Sequence, residues 1–309
     1  MYKYTQEIRD FINNPRKQFN LLKNHKFWNQ LCSSLFVIED SDLAIDAYIN
    51  NEFGKVYGEK YLKLYGVLQA LFLQQDAIIN LCESLGLSNN LIANPKLKEI
   101  RDIRNDSIGH PTKRGNYKSY HFISRVTITK SGFQLVSKHE NSKTTSRDIS
   151  IIDLIKEQRR YLSEILKKVI NVLEAEERIH KEKFKMKKLE AVFPNTFSYY
   201  IEKIFENIGK SKNAKLGLMH VKLVKEVMGK LKESLQKRGI EIDTYDSIKD
   251  LYELLEYPIT ELELYFDRSK TKEELKINDK TAYIFAYFVR EHSSKLKEIA
   301  KEIDSEYSI

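Results

Sequence analysis

The sequence predicts a mainly all-α protein: a four-helix bundle with a small β-hairpin insert, followed by a second helical domain. Three observations carry this reading. Apolar residues recur at helical spacing through most of the 309 positions. Only the stretch 119–138 changes to a strand-like period. Past Leu173 the chain turns polar, with Arg178, Lys181, Lys183, Lys185, Lys187 and Lys188, which puts a boundary near 187–194 and the domains at 1–188 and 189–309.

The elements follow in order. Tyr4 to Phe19 reads as a short helix ending near Asn13, Asn14 and Pro15. Phe27 to Tyr48 carries Trp28, Leu31, Leu35, Ile38, Leu43 and Ala47 at helical spacing, with a break expected at Asp40, Ser41 and Asp42. Glu59 to Leu87 is a long amphipathic helix through Leu64, Leu68, Leu71, Ile78 and Leu85, closed by Gly86, Ser88, Asn89 and Asn90.

Asn94 as N-cap and Pro95 at the first helical position start a short helix. Gly109 and Pro111 stop it, so it spans about 95–108 and leaves His110 just past its end. Phe122, Val126 and Ile128 lead through Thr129, Lys130, Ser131 and Gly132 to Phe133, Leu135 and Val136, a two-stranded hairpin with a bulged turn. Asp148 or Ser150 then caps a long helix whose face is Ile151, Ile155, Leu162, Leu166, Val169 and Leu173. The remainder is helical, closing with the aromatic-rich Thr281 to Ile303 as core or dimer surface.

Composition narrows the class. Hydrophobic content of 41% and charged content of 31% suit a chain that buries a sizeable core. Cys32 and Cys82 sit in apolar helical patterns and read as core residues in a reducing compartment, not as a zinc site or disulfide. Met1 to Phe19 is peppered with charge, and no run approaches a membrane span, so the expected location is cytoplasmic. A net charge of +8 invites a polyanion partner. Metal and nucleotide signatures are missing: Gly209, Lys210 and Ser211 end like a phosphate loop, but Ile204 replaces its first glycine. The histidines at 25, 121, 139, 180, 220 and 292 lack ligand spacing and read as structural or exposed.

Arg101 to Pro111 reads Arg-Asp-Ile-Arg-Asn-Asp-Ser-Ile-Gly-His-Pro. At about 100° per residue Leu97, Ile100, Ile103 and Ile108 share one face, while Glu99, Asp102 and Asp106 face outward to solvent. Arg104 falls within the apolar arc, where a guanidinium is costly unless paired or put to use. It is either a salt-bridge partner across an interface or a catalytic cation working with His110. Asn105 either orients those side chains or is a surface amide.

An arginine followed by a polar residue, with a histidine a few positions on at a helix end, resembles the motif of the HEPN superfamily. The likeness covers about residues 25–185 and includes the run Gly-Val-Leu-Gln-Ala-Leu-Phe-Leu-Gln-Gln-Asp at 66–76. It implies a four-helix domain that dimerises, so that two motifs form one composite ribonuclease site with no metal or other cofactor. Arg104, Asn105 and His110 would be its residues, RNA its substrate and a 2′,3′-cyclic phosphate its product. Members include toxins paired with antitoxins, antiviral defence nucleases and non-catalytic scaffolds that bind RNA or a protein. An antitoxin or defence-system partner is therefore expected, and a membrane partner is not.

Two basic groups are RNA-contact candidates. Lys113 and Arg114 follow the motif, as phosphate contacts or as solvated loop charges. Lys215, Lys222, Lys225, Lys230 and Lys232 form a stripe opposite Val224, Val227, Met228 and Leu231. The stripe is either the solvated outer face of an amphipathic helix or a surface for phosphates, and the acidic segment Glu241 to Glu263 that follows directly is a third partner for it.

Overall fold

A computed structural model describes residues 1–88, 94–114, 118–140, 143–267 and 277–307. Among these residues there are ten α-helices and one three-stranded antiparallel sheet, in two compact units, Met1–Glu174 and Ala175–Ile309. No helix of the described residues is long and apolar enough to cross a membrane. The division falls within a helix, upstream of the polar 187–194 segment expected from sequence. Leu189 and Phe193 in that segment are buried in the second unit's core, which is why the chain does not part there.

The first unit opens with α1 (Tyr2–Ile12) and α2 (Pro15–Leu22), interrupted where Asn13, Asn14 and Pro15 predicted. Helix α3 (His25–Asn50) then runs unbroken, so the expected interruption at Asp40–Asp42 is corrected. Leu31, Leu35, Ile38 and Ile45 are fully buried along it, each contributing roughly 1.5–3 kcal/mol, which outweighs the small helix penalties of Ser and Asp. The Ser41 hydroxyl donates to the Val37 carbonyl at 2.6 Å, and Asp42 accepts from Arg159 at 2.9 Å. Both polar groups are satisfied without leaving the helix.

Helix α4 (Tyr57–Ser84) packs along α3 and ends at Gly86, whose φ of +70° suits glycine; Asn89 and Asn90 of the expected stop lie outside the described residues. Helix α5 (Pro95–Arg104) begins as predicted, with the Asn94 side chain accepting from the amides of Lys96 and Leu97. Helix α6 (Ile151–Phe184) closes the unit, and the Ser150 hydroxyl accepts from the Asp153 amide at 3.3 Å. Three buried glutamines fix the register of these helices. Gln158 Nε2 donates to the Gln74 side chain and the Leu71 carbonyl, both at 3.0 Å. Gln75 Nε2 donates to Gln158 at 2.8 Å and to the Leu97 carbonyl at 3.3 Å. A one-turn slip of α4 would strand these groups, each at about 1–3 kcal/mol.

The insert is a sheet of β1 (Ser119–Ile123), β2 (Gly132–His139) and β3 (Thr145–Ser150) in that order, not a two-stranded hairpin. The first strand stops at Ile123, and Arg125–Thr127 forms a 3₁₀ turn. Thr-Ser-Arg-Asp-Ile-Ser offers only Ile149 to the core, so β3 carries no apolar alternation for a sequence reading to find. Gly132 is demanded by close approach: a Cβ there would sit 1.9 Å from the Ile149 carbonyl oxygen. Tyr48 of α3 donates to the Lys130 carbonyl at 2.9 Å and ties the sheet to the helices.

The second unit contains α7 (Phe197–Asn207), α8 (Ala214–Lys237), α9 (Asp246–Phe266) and α10 (Asp279–Glu306) around Ile201, Ile204, Val221, Val224, Leu262 and Phe266. Gly217 makes room for Phe266, since a Cβ would stand 2.4 Å from that ring. Ala282, Ala286, Val289, Leu296 and Ala300 carry α10 into the core, while Tyr283 and Tyr287 are exposed. A buried ion pair joins Arg238 to Asp304 at 2.9 Å.

Candidate functional site

The motif begins on α5 and is positioned by α4. Arg104 donates from Nη2 and Nε to the Gln69 side-chain oxygen at 2.8 and 3.2 Å, and from Nη1 to Asn105 Oδ1 at 2.9 Å. The Phe72 ring lies against two guanidiniums, with Arg104 4.3 Å and Arg101 4.2 Å from its centroid. Arg101 is held in turn by Asp76 at 2.6 Å. Gln69, Phe72 and Asp76 stand three and four residues apart on α4, one helical face, which is how a single helix can fix both arginines. They lie in the 66–76 run, whose part in holding the motif only the fold reveals.

After Arg104 the helix widens. Asn105–Gly109 forms a π-helical turn closed by the His110 amide donating to the Asn105 carbonyl at 2.8 Å. Such turns put one more residue into the ring and recur at functional sites. The α-helical wheel therefore fails beyond Arg104, and Asp106 does not face solvent as expected. It is partly buried and ion-paired with Arg114 at 3.1 Å. Gly109 closes over the Arg104–Asn105 pair: a Cβ on it would lie 2.7 Å from Arg104 Nη1 and 3.1 Å from Asn105 Oδ1.

His110 caps the turn and is exposed. Its imidazole makes no hydrogen bond to any described residue, and so is open to a substrate or a second subunit. Within one chain Arg104 and Asn105 are thus joined, and His110 is linked to them through the backbone of the π turn.

A second group lies beside the turn. Arg114 bridges Asp106 and Asp102, the latter at 2.9 Å. This commits the guanidinium, read from sequence as a phosphate contact or a solvated loop charge, to two carboxylates; Lys113 is exposed. His121, read from sequence as structural or exposed, is buried with Nδ1 2.8 Å from Ser137 Oγ, Nε2 2.9 Å from Ser119 Oγ, and Asp106 3.7 Å away. Its amide donates to the Pro111 carbonyl at 2.7 Å, so β1 is anchored on the end of the motif.

Burial lowers the His121 pKa, with His139 and Arg114 acting the same way and Asp106 against them. Burial raises the Asp106 pKa, partly offset by His121 and Arg114. A folded histidine that resists protonation yields stability that is complete above the unfolded value of about 6.5 and lost as pH falls through it. Asp106 acts with the opposite sign, its contribution fading as pH rises through its raised folded value. The melting temperature of the wild type is therefore expected to drop more steeply between pH 7.5 and 5.5 than that of His121→Asn. Parallel curves for the two would show that His121 is not the group responsible.

In the second unit Lys215, Lys222 and Lys232 are exposed on α8. Lys225 pairs with Glu263 at 2.6 Å, and Lys230 with Glu226 at 2.6 Å. The acidic segment thus claims one cation of the stripe, and Arg238 at its end is buried.

No protein-family model matches the chain, and neither a curated protein nor a solved structure shows significant similarity to it.

Proposed function

We propose that the chain is a metal-independent endoribonuclease of the HEPN type, acting as a homodimer and serving as a toxin or antiphage effector. The observation that carries this reading is the π turn: it holds a pre-oriented guanidinium at one end and presents an unengaged imidazole at the other. Arg104 keeps N–H groups beyond its three bonds to Gln69 and Asn105, which suits it to a phosphate oxygen without reorganisation.

The chemistry follows from those groups. One His110 imidazole takes the proton of the 2′-hydroxyl, whose oxygen attacks the adjacent phosphorus. The bond from phosphorus to the 5′-oxygen breaks, and the second subunit's His110 donates a proton to that oxygen. The products are a 2′,3′-cyclic phosphate and a 5′-hydroxyl. Arg104 balances the charge that builds on the phosphorane oxygens, and Asn105 holds Arg104 in register.

The test is incubation of the purified full-length protein with total RNA in excess EDTA, followed by end analysis of the fragments. Cyclic-phosphate ends are expected. A dimer that binds RNA and leaves it intact would instead favour a non-catalytic scaffold.

A further inference from the structure

Beside the motif, an open cleft of about 720 Å³ is bounded by three segments. Ser107, Pro111 and Thr112 come from the motif itself, Tyr61 and Tyr65 from α4, and His121 to Val126 from β1 and the turn after it. The volume is that of a small-molecule site, and the lining has three features not expected of a simple packing groove.

Aromatic rings stand in the open: Phe122 is 59% exposed and Tyr65 43%. Among the described residues the Ser107 hydroxyl is buried with no hydrogen-bond partner. An orphaned buried hydroxyl costs about 1–3 kcal/mol, which a ligand atom can recover. Arg125 is exposed at the rim without a carboxylate partner among the described residues, and no aspartate or glutamate lines the cleft. Rings, an unused hydroxyl and an uncompensated cation are the components of an unpaired nucleotide's binding site.

We infer that this cleft is a nucleobase pocket for single-stranded RNA next to the scissile phosphate. A base stacks on Tyr65 and Phe122, Ser107 hydrogen-bonds its edge, and Arg125 takes the neighbouring phosphate. The pocket would make cleavage depend on the identity and unpaired state of one nucleotide near the cut. This rests on the ribonuclease reading, but its test does not need cleavage.

The experiment measures binding of a fluorescent 2′-O-methyl oligoribonucleotide, which lacks the nucleophile, to full-length protein by anisotropy, with dimer mass followed by sedimentation. Phe122→Ala and Arg125→Ala are expected to weaken binding about tenfold each, as loss of a stacked base or a phosphate contact does. Phe122→Trp should restore it, which a role in folding alone would not predict. The same affinity in wild type, Phe122→Ala and Arg125→Ala would overturn the pocket while leaving the nuclease reading to stand or fall on RNA cutting. Dissociation of the dimer by Phe122→Ala would overturn it too, by showing that a second copy of the chain covers the cleft.

Discussion

His110→Ala should reduce RNA cleavage by about a thousandfold, because proton transfer by a placed side chain is worth roughly 10²–10⁴. The exposed ring contributes little to folding, so the melting temperature should stay where it is. Arg104→Ala should cost about 10²–10³, and Arg104→Lys should fail to rescue, since an ammonium cannot hold Gln69, Asn105 and a phosphate at once. Gly109→Ala belongs to the same series. Its new methyl would fall 2.7 Å from Arg104 Nη1, and the end of a flexible side chain can move aside cheaply. The fold should therefore survive while the displaced guanidinium loses about a hundredfold in rate. Fragment yields from the four variants beside wild type decide the matter: full activity in His110→Ala removes His110 from the catalytic site, and with it the composite two-histidine mechanism.

Asp304→Ala should be the most damaging change in the second unit, lowering its stability by about 3–5 kcal/mol. The Asp304 carboxylate accepts from the amides of Leu189 and Glu190 and from Arg238 Nη2, each at 2.9 Å. Arg238 is 1% exposed, donates also to the Lys187 carbonyl, and stands 4.7 Å from the Tyr307 ring centroid. Without the carboxylate a buried cation and two amides lose their partner, and the segment entering the core at Leu189 comes loose. Urea unfolding should show the early transition directly. The double change Asp304→Leu with Arg238→Met should be milder than Asp304→Ala, because it leaves no stranded charge. A single-variant loss below about 1 kcal/mol would mean the pair is not what pins this segment.

Local signals proved legible where they act through the neighbouring backbone. Asn94 and Pro95 start α5 as their chemistry requires, and Gly86 ends α4 through its positive φ. The periodicity of 59–87 marked the helix that later proved to hold both arginines. Failures arose where distant partners decide. Ser41 and Asp42 looked like a break, yet α3 continues because their neighbours are buried and Arg159 answers Asp42. Strand β3 is written in polar residues and exists by pairing with β2. His121 carried no signal in its own surroundings; Ser119, Ser137 and Asp106 give it a setting only after the sheet has folded back onto the motif.

The sequence by itself determined the helical class and the start of the motif helix, because caps and periodicity are local properties; Arg104, Asn105 and His110 it nominated through a resemblance. The tertiary structure alone decided that the helix widens at Asn105, that Gln69 and Phe72 hold the guanidinium, and that Arg114 is spent on Asp102 and Asp106. Those outcomes depend on which side chains arrive from elsewhere in the chain. A polar group buried at a given position goes to the nearest partner that satisfies it, and only the packed fold specifies that partner.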